Sequence, residues 1–347
     1  MLNTVGLCLV GTSFCLVGRG LFAGQAGGRP LGPPLIPYWR TDQRPLYHSP
    51  SPEGGPSSAD TVDLVTGSLE HETEPDVESP NRFGPDFEFS RVYTTALALL
   101  GRHASGMTPG WHNTYSFTGL TTNAAAWSGV GFVDPKGATE IWQPILKDGS
   151  PTGEFPAHPG TDFFLKGEPS STTGKWNSLT WQYDGNEKWV FLPHTDKSGT
   201  YYLLAQMVAI NGTSITLNYD ADRGNRLTSV LDNAGTTMMT CQYGPDDMLD
   251  SVTSSTGYKV YYGYTVQAGF PCLTTVSLRV DGPAHRNQVA WKYGYTAIRQ
   301  RPFLTEVMTP AGSQAQLATH HNIFDPVTGK ETKFIDANGV ETSFTYH

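Results

Sequence analysis

One spacing restricts the folding of this chain more than any other feature: a Leu, an apolar residue three positions on, and a Gly eight positions on. It occurs as Leu204, Met207 and Gly212, as Leu227, Val230 and Gly235, as Leu249, Val252 and Gly257, and as Leu304, Val307 and Gly312, while Leu273 and Val276 meet Gly282 one residue late. The first residues of successive units stand 23, 22, 24 and 31 positions apart. A period this short marks a supersecondary unit that cannot bury its apolar face alone and has to stack on its neighbours.

The chemistry of one unit is that of a hairpin. Leu to Val spans a short strand with its apolar side chains turned inward, the Gly supplies a turn where φ can be positive, and an alternating strand returns. "SITLNY" (214–219) and "KVYYGY" (259–264) are such return strands, and Ile215, Leu217 and Tyr219 stand at the same offsets from their Gly as Val260, Tyr262 and Tyr264. Tyr243 comes one residue later than this rule asks, which predicts a longer turn or a bulge after Gly235. "FIDANGVETSFTYH" (334–347) reads as a further hairpin with Asn338-Gly339 at its tip. The fold class expected is all-β, with antiparallel hairpin repeats forming a curved sheet.

Composition agrees, because 38 Gly and 25 Pro among 347 residues, with 12% aromatics, suit short strands and tight turns and oppose helices. Four segments follow from the text: an apolar leader (1–26), a Pro/Gly-rich linker (27–59), an opening β domain (60–200) and the hairpin repeats (201–347). The leader has an apolar core from Val5 to Val17 and small residues near Ala23–Gly28, but no basic start. It is a candidate export signal, with a stray gene start, an interior plug and a weak membrane contact as other readings, and is short of the ~20 residues a membrane span needs.

In the opening domain, "DLVTGSLEHETEPDV" (63–77) predicts a turn at Thr66-Gly67 and a strand with Glu70, Glu72 and Glu74 on one face. That face reads as solvated rather than as a calcium site, since alternate residues of a strand lie nearly ~7 Å apart and calcium loops gather their ligands more closely. "DFEFSRVY" (86–93) predicts packing by Phe87, Phe89 and Arg91 or Tyr93, and "TPGWHNTYSF" (108–117) predicts core positions at Trp111 and Tyr115, with a turn at Gly110. Hairpins are expected over 129–142, with Phe132 and Ile141 packing, and over 177–193, with Trp181, Tyr183, Trp189 and Phe191 around Asp184-Gly185.

The formal charge of −9 is concentrated between Asp60 and Glu88, where nine carboxylates face the single Arg82. No basic stripe exists to displace phosphate counterions, so nucleic acid is not an expected partner. Cys241 and Cys272 fit either one bridge or two buried thiols, and no Cys/His spacing supports zinc. No nucleophile, dinucleotide or phosphate-loop motif is present. His112 has no triad partner at a motif spacing, Asp246-Asp247 are adjacent rather than facing as a glycosidase pair requires, and His320-His321 are a weak metal pair. No catalytic residue, metal or cofactor is assigned.

The opening segments "VDLVTGSLEHETEPDV", "FEFSRVY" and "TPGWHNTYSF", followed by "RLTSVLDNAG" and "MLDSVTSSTG", resemble the RHS/YD-repeat family over residues 60–347. The resemblance implies a β strip spiralling into a hollow shell that is secreted or displayed at the cell surface, encloses a toxin in bacterial members and serves adhesion in animal relatives. It gives Leu227, Val230, Gly235 and Tyr243, and Leu249, Val252, Gly257 and Tyr264, a structural role without catalysis. Partners implied are further repeats or a chain completing the shell, and an enclosed toxin domain. The family's C-terminal core-associated segment with its aspartyl self-cleavage motif is not seen in this sequence. The competing readings are a secreted carbohydrate- or surface-binding β module using aromatics such as Trp127 and Trp142, and a glycoside hydrolase-like β enzyme.

Overall fold

A computed structural model describes residues 7–9, 14–16, 61–63, 68–79, 85, 87–100, 106–121, 127–135, 139–156, 163–183, 187–196, 199–221, 224–279, 287–308 and 320–346. The leader contributes a pairing of Leu7–Leu9 with Phe14–Leu16. The rest of it, the linker, Gly67, Gly282 and Gly312 lie outside the described residues. The described chain is antiparallel β throughout, apart from a short helix at Thr95–Leu100.

Strands pair with their sequence neighbours from Phe163–Pro169 and Trp176–Tyr183 through Lys188–Asp196, Gly199–Val208 and Ser214–Asp220, and onward to Glu331–Ile335 and Glu341–Ser343. Gly199–Val208 carries a branch: Tyr201–Leu203 pairs with Thr118–Leu120, while Gln206–Val208 pairs with Ser214–Thr216. Thr118–Thr121 in turn pairs with Val130–Val133, which pairs with Thr139–Trp142. No described ladder joins Glu341–Ser343 back to this branch, so the sheet is an open, curved strip.

A plain strand cannot turn a Leu and a residue three positions on to the same side, because its side chains alternate with a period of two. The repeats resolve this with a bulge. Leu227 pairs with Tyr219 and Ser229 with Asn218, leaving Thr228 as the extra residue. The same shift leaves out Ala205, Asp250, Thr274, Thr305 and Thr332 in the other units. Each bulge returns the strand to phase, so Leu204, Leu227, Leu249, Leu273 and Leu304 are buried together with Met207, Val230, Val252, Val276 and Val307. Removing such a side chain from water contributes about 1.5–3 kcal/mol. A second bulge between Val230 and Leu231 lies in the unit where Tyr243 is displaced by one residue.

The hairpin tips recur as faithfully. In each of the Gly212, Gly235, Gly257 and Gly339 turns the glycine N–H donates to the carbonyl three residues back and the glycine holds φ between 79° and 83°. This is a three-residue turn closed by a left-handed position.

The opening block comprises Thr61–Asp63, Ser68–Glu72, Arg91–Thr94 and Trp111–Asn113 in one sheet, with Val77–Ser79 paired to Phe87–Phe89. Phe89, Tyr93, Trp111 and Tyr115 are buried, and Gly110 holds φ at 87°. Leu69 and His71 face inward, whereas Glu70 and Glu72 are half-buried and Glu74 is exposed. The 130–142 hairpin differs from expectation at one residue. Phe132 is buried, but Ile141 pairs with Gly131, faces out and is 37% exposed, and its neighbour Trp142 takes the inward place.

Candidate functional site: the bulge line and the docked opening block

A bulge frees backbone polar groups, and burial makes it costly to leave them unmatched. Two kinds of side chain deal with this. The first is the extra residue itself: Thr228, Thr274, Thr305 and Thr332 each donate their hydroxyl to the carbonyl of the residue just before the paired aromatic, Asn218, Gly263, Gly294 and Ile323, at 3.1–3.4 Å. Asp250 and Ala205 occupy the same place without a hydroxyl.

The second is the aromatic, whose phenol reaches across to the Leu of the preceding unit. Tyr219 donates to the Leu204 carbonyl at 2.7 Å, Tyr243 to Leu227 and Tyr264 to Leu249 at 2.8 Å, and Tyr295 to Leu273 at 2.6 Å. Tyr346 repeats the contact on Glu331. Burial pushes the phenols of Tyr219, Tyr243, Tyr264 and Tyr295 upward, so at neutral pH each remains a protonated donor. Phe324 interrupts the series, and there the Leu304 carbonyl is reached by Asn322 Nδ2 at 3.4 Å.

The opening block lies on this line. The N–H of Leu249 donates to the Gly106 carbonyl at 2.6 Å, that of Leu273 to Thr108 Oγ1 at 3.2 Å and that of Leu304 to the Tyr93 hydroxyl at 3.0 Å. Trp111 Nε1 donates to the Tyr295 hydroxyl at 2.7 Å, the same oxygen that donates to Leu273. Gly106 fits because it has no side chain, since a Cβ there would stand 2.4 Å from the Tyr243 ring.

One buried ion pair holds the block down. Arg91 grips Asp76 through Nε (2.6 Å) and Nη2 (2.8 Å), donates from Nη1 to the Tyr293 hydroxyl, and lies 5.5–5.7 Å from the ring centres of Trp111, Trp291 and Tyr293. Tyr262 donates to Asp76 Oδ2 at 2.8 Å. Burial pulls the guanidinium pKa down, but Asp76 and the phenol oxygens outweigh it, and the group is held above its ordinary value. Arg91 and Asp76 stand outside the repeats, and no local rule joins them to Tyr262 and Tyr293. The Thr after the repeat Leu, or after Glu331 in the last unit, recurs in "LTSV", "LTTV", "LTEV" and "ETKF", and that recurrence is the signal that could have pointed to the bulge.

The acidic pair Asp246-Asp247 is engaged locally. Asp246 Oδ1 accepts the Met248 N–H, and Asp247 pairs with Arg226 at 2.8 Å. His320 is buried and His321 exposed on the opposite face of one strand. His112 is buried in the strand Trp111–Asn113 opposite Val92. Trp142 is buried and Trp127 packs edge-on against Trp176. Cys241 and Cys272 are free buried thiols, pushed up by burial to about 12 and about 11. Among the described residues no group of three or more His, Cys, Asp or Glu could hold a metal ion.

No family model and no curated protein matches the chain. Among solved structures it has a distant likeness in fold to a Tc holotoxin pore of Photorhabdus luminescens, with 14% identity and a TM-score of 0.45 over 76% of this chain. The TcdB2-TccC3-TEV and TcdB2-TccC3-Cdc42 structures are similar at 12% and 11% identity, with TM-scores of 0.40 and 0.33 over 72% and 79% of this chain. The chain spans 16%, 17% and 13% of those three chains.

Proposed function

We propose that this chain is a non-catalytic segment of an RHS/YD-type shell, the N-terminal part of a toxin-enclosing or cell-surface protein. The observation that carries the reading is the unit-by-unit device in which a Tyr hydroxyl takes the carbonyl of the preceding repeat Leu, while the opening block takes the N–H of three such residues. These polar groups are engaged in holding strands to one another, which is the work of a wall. The resemblance of the opening segments and repeats to the RHS/YD family supplies the context: secretion or surface display, further repeats or a partner chain to complete the wall, and an enclosed toxin domain.

The test is to purify the chain and compare sedimentation with a glycan array and a panel of chromogenic glycosides. A shell segment associates at micromolar concentration and leaves both sugar assays blank. A clean monomer with one cooperative melt, or glycoside turnover abolished by Asp246→Asn, overturns the reading.

A further inference from the structure

Hairpins that repeat one register pattern in series invite a slip by a whole unit, because the apolar face of one unit presents the same kind of surface as the next. We infer that the described residues between Asp76 and Trp111 act as a register template, an internal mould that fixes which repeat lies where as the strip curves around it. The inference stands whether or not the chain belongs to a toxin shell, since it concerns only the chain's own strands.

The three bulge amides that the block engages belong to successive units, Leu249, Leu273 and Leu304, and the acceptors are three different groups: a backbone carbonyl, a Thr hydroxyl and a phenol. Spacing matches. Leu249 and Leu273 lie two strands apart, about 9.5 Å, and the segment Gly106–Thr108 bridges that step with a backbone carbonyl at one end and the Thr side chain at the other. Leu304 lies two strands further and is met by the long Tyr93 side chain, which the Tyr93–Trp111 pairing sets beside the same segment.

These contacts alone would tolerate a slip, since every unit has a bulge. The Asp76–Arg91 pair removes that tolerance. Two residues before the lock aromatic stand Leu217, Cys241, Tyr262, Tyr293 and Asn322 in successive units, so a phenol occurs at this place only in two of these, and in adjacent ones. Asp76 takes the first phenol and Arg91 the second. Shifting the block by one unit in either direction would set one of the charged partners against Cys241 or Asn322 and lose a phenol contact in the buried interior, where an unmatched charge is most costly.

The experiment uses the full chain, refolded from denaturant, with residue-resolved amide exchange as the readout. Tyr93→Phe is expected to speed exchange at Leu304 about tenfold, the loss of one hydrogen bond, with Leu273 unchanged, and Thr108→Val to do the converse. Tyr262→Phe with Tyr293→Phe is expected to split peptides across 249–308 into two or more exchange populations, because the alignments are no longer distinguished. A single population with wild-type protection in the double variant overturns the template. So does an equal loss at Leu249, Leu273 and Leu304 in both single variants, which would show the block to be packing material. If the double variant does not refold, the selectivity of the two single variants decides the matter.

Discussion

The seam locked by Tyr295 and the seam at Phe324 share one register pattern and are held by different means. At the first, Leu273 gives its N–H to Thr108 and its carbonyl to Tyr295, whose oxygen is itself held by Trp111. At the second, Phe324 has no hydroxyl, packs edge-on against Phe303, and leaves the Leu304 carbonyl to a 3.4 Å contact from Asn322. The adjoining ladder is also short, with Glu306 opposite His321 and Val307 opposite His320. Apolar patterning is enough to place a strand, but the hydroxyl decides how firmly it stays, so opening should begin at the Phe324 seam.

The largest way to break this contrast is alkali. Tyr219, Tyr243, Tyr264 and Tyr295 have pKa values raised in the folded chain, chiefly by burial. A phenol of that kind stabilises the fold fully below its unfolded pKa of about 10, and the contribution is lost as pH rises through the folded value. Urea midpoints should therefore fall steeply above about pH 10, with protection lost along Leu204–Leu273, while at the Phe324 seam no phenol donates to the Leu304 carbonyl, and the Tyr93 oxygen that takes the Leu304 N–H accepts in either protonation state. A midpoint that stays flat across this range would remove the tyrosines from the account.

Next in size is Arg91→Met. It leaves Asp76 buried with Tyr262 as its remaining partner among the four groups described, and a broken buried pair costs about 3–5 kcal/mol. Arg91→Met combined with Asp76→Leu should recover much of that, as read from urea unfolding. Loss without recovery would mean that the aromatic packing around the guanidinium, from Trp111, Trp291 and Tyr293, matters more than its charge.

These two regions also separate what the sequence could and could not convey. Leu, Val and Gly positions were legible because burial and turn geometry act within a few residues, and the late arrival of Tyr243 pointed to the extra bulge at Val230/Leu231. The bulge line itself was hidden by a parity problem: Leu and Val three apart belong to opposite faces of a plain strand, and the Thr that resolves it looks like an ordinary polar strand residue. Arg91 read as one packing candidate among several, because its partner Tyr293 lies 202 residues away and no local rule connects them. Ile141 was placed on the wrong face because the Gly131 opposite it carries no side chain to betray the alternation.

Tyr295→Phe should cost about 1–3 kcal/mol, since it strips a partner from both the Leu273 carbonyl and the Trp111 N–H. Tyr219→Phe, which uncovers the Leu204 carbonyl alone among these contacts, should cost less. Equal losses in thermal melts would show that Trp111 adds nothing to the lock.

The smallest change runs in the opposite direction. Phe324→Tyr puts a hydroxyl where the register of the other units directs it at the preceding Leu carbonyl, here Leu304. The ring is already buried, so the gain is that of one added hydrogen bond, about 0.5–1.5 kcal/mol. Exchange around Leu304–Val307 should slow, and the Phe324 seam should acquire the alkaline sensitivity of its neighbours. Asn322 is the competitor for that carbonyl. If Phe324→Tyr is neutral alone but stabilising with Asn322→Ala, the amide already supplies the missing lock, and the contrast between the seams narrows to the chemistry of one donor.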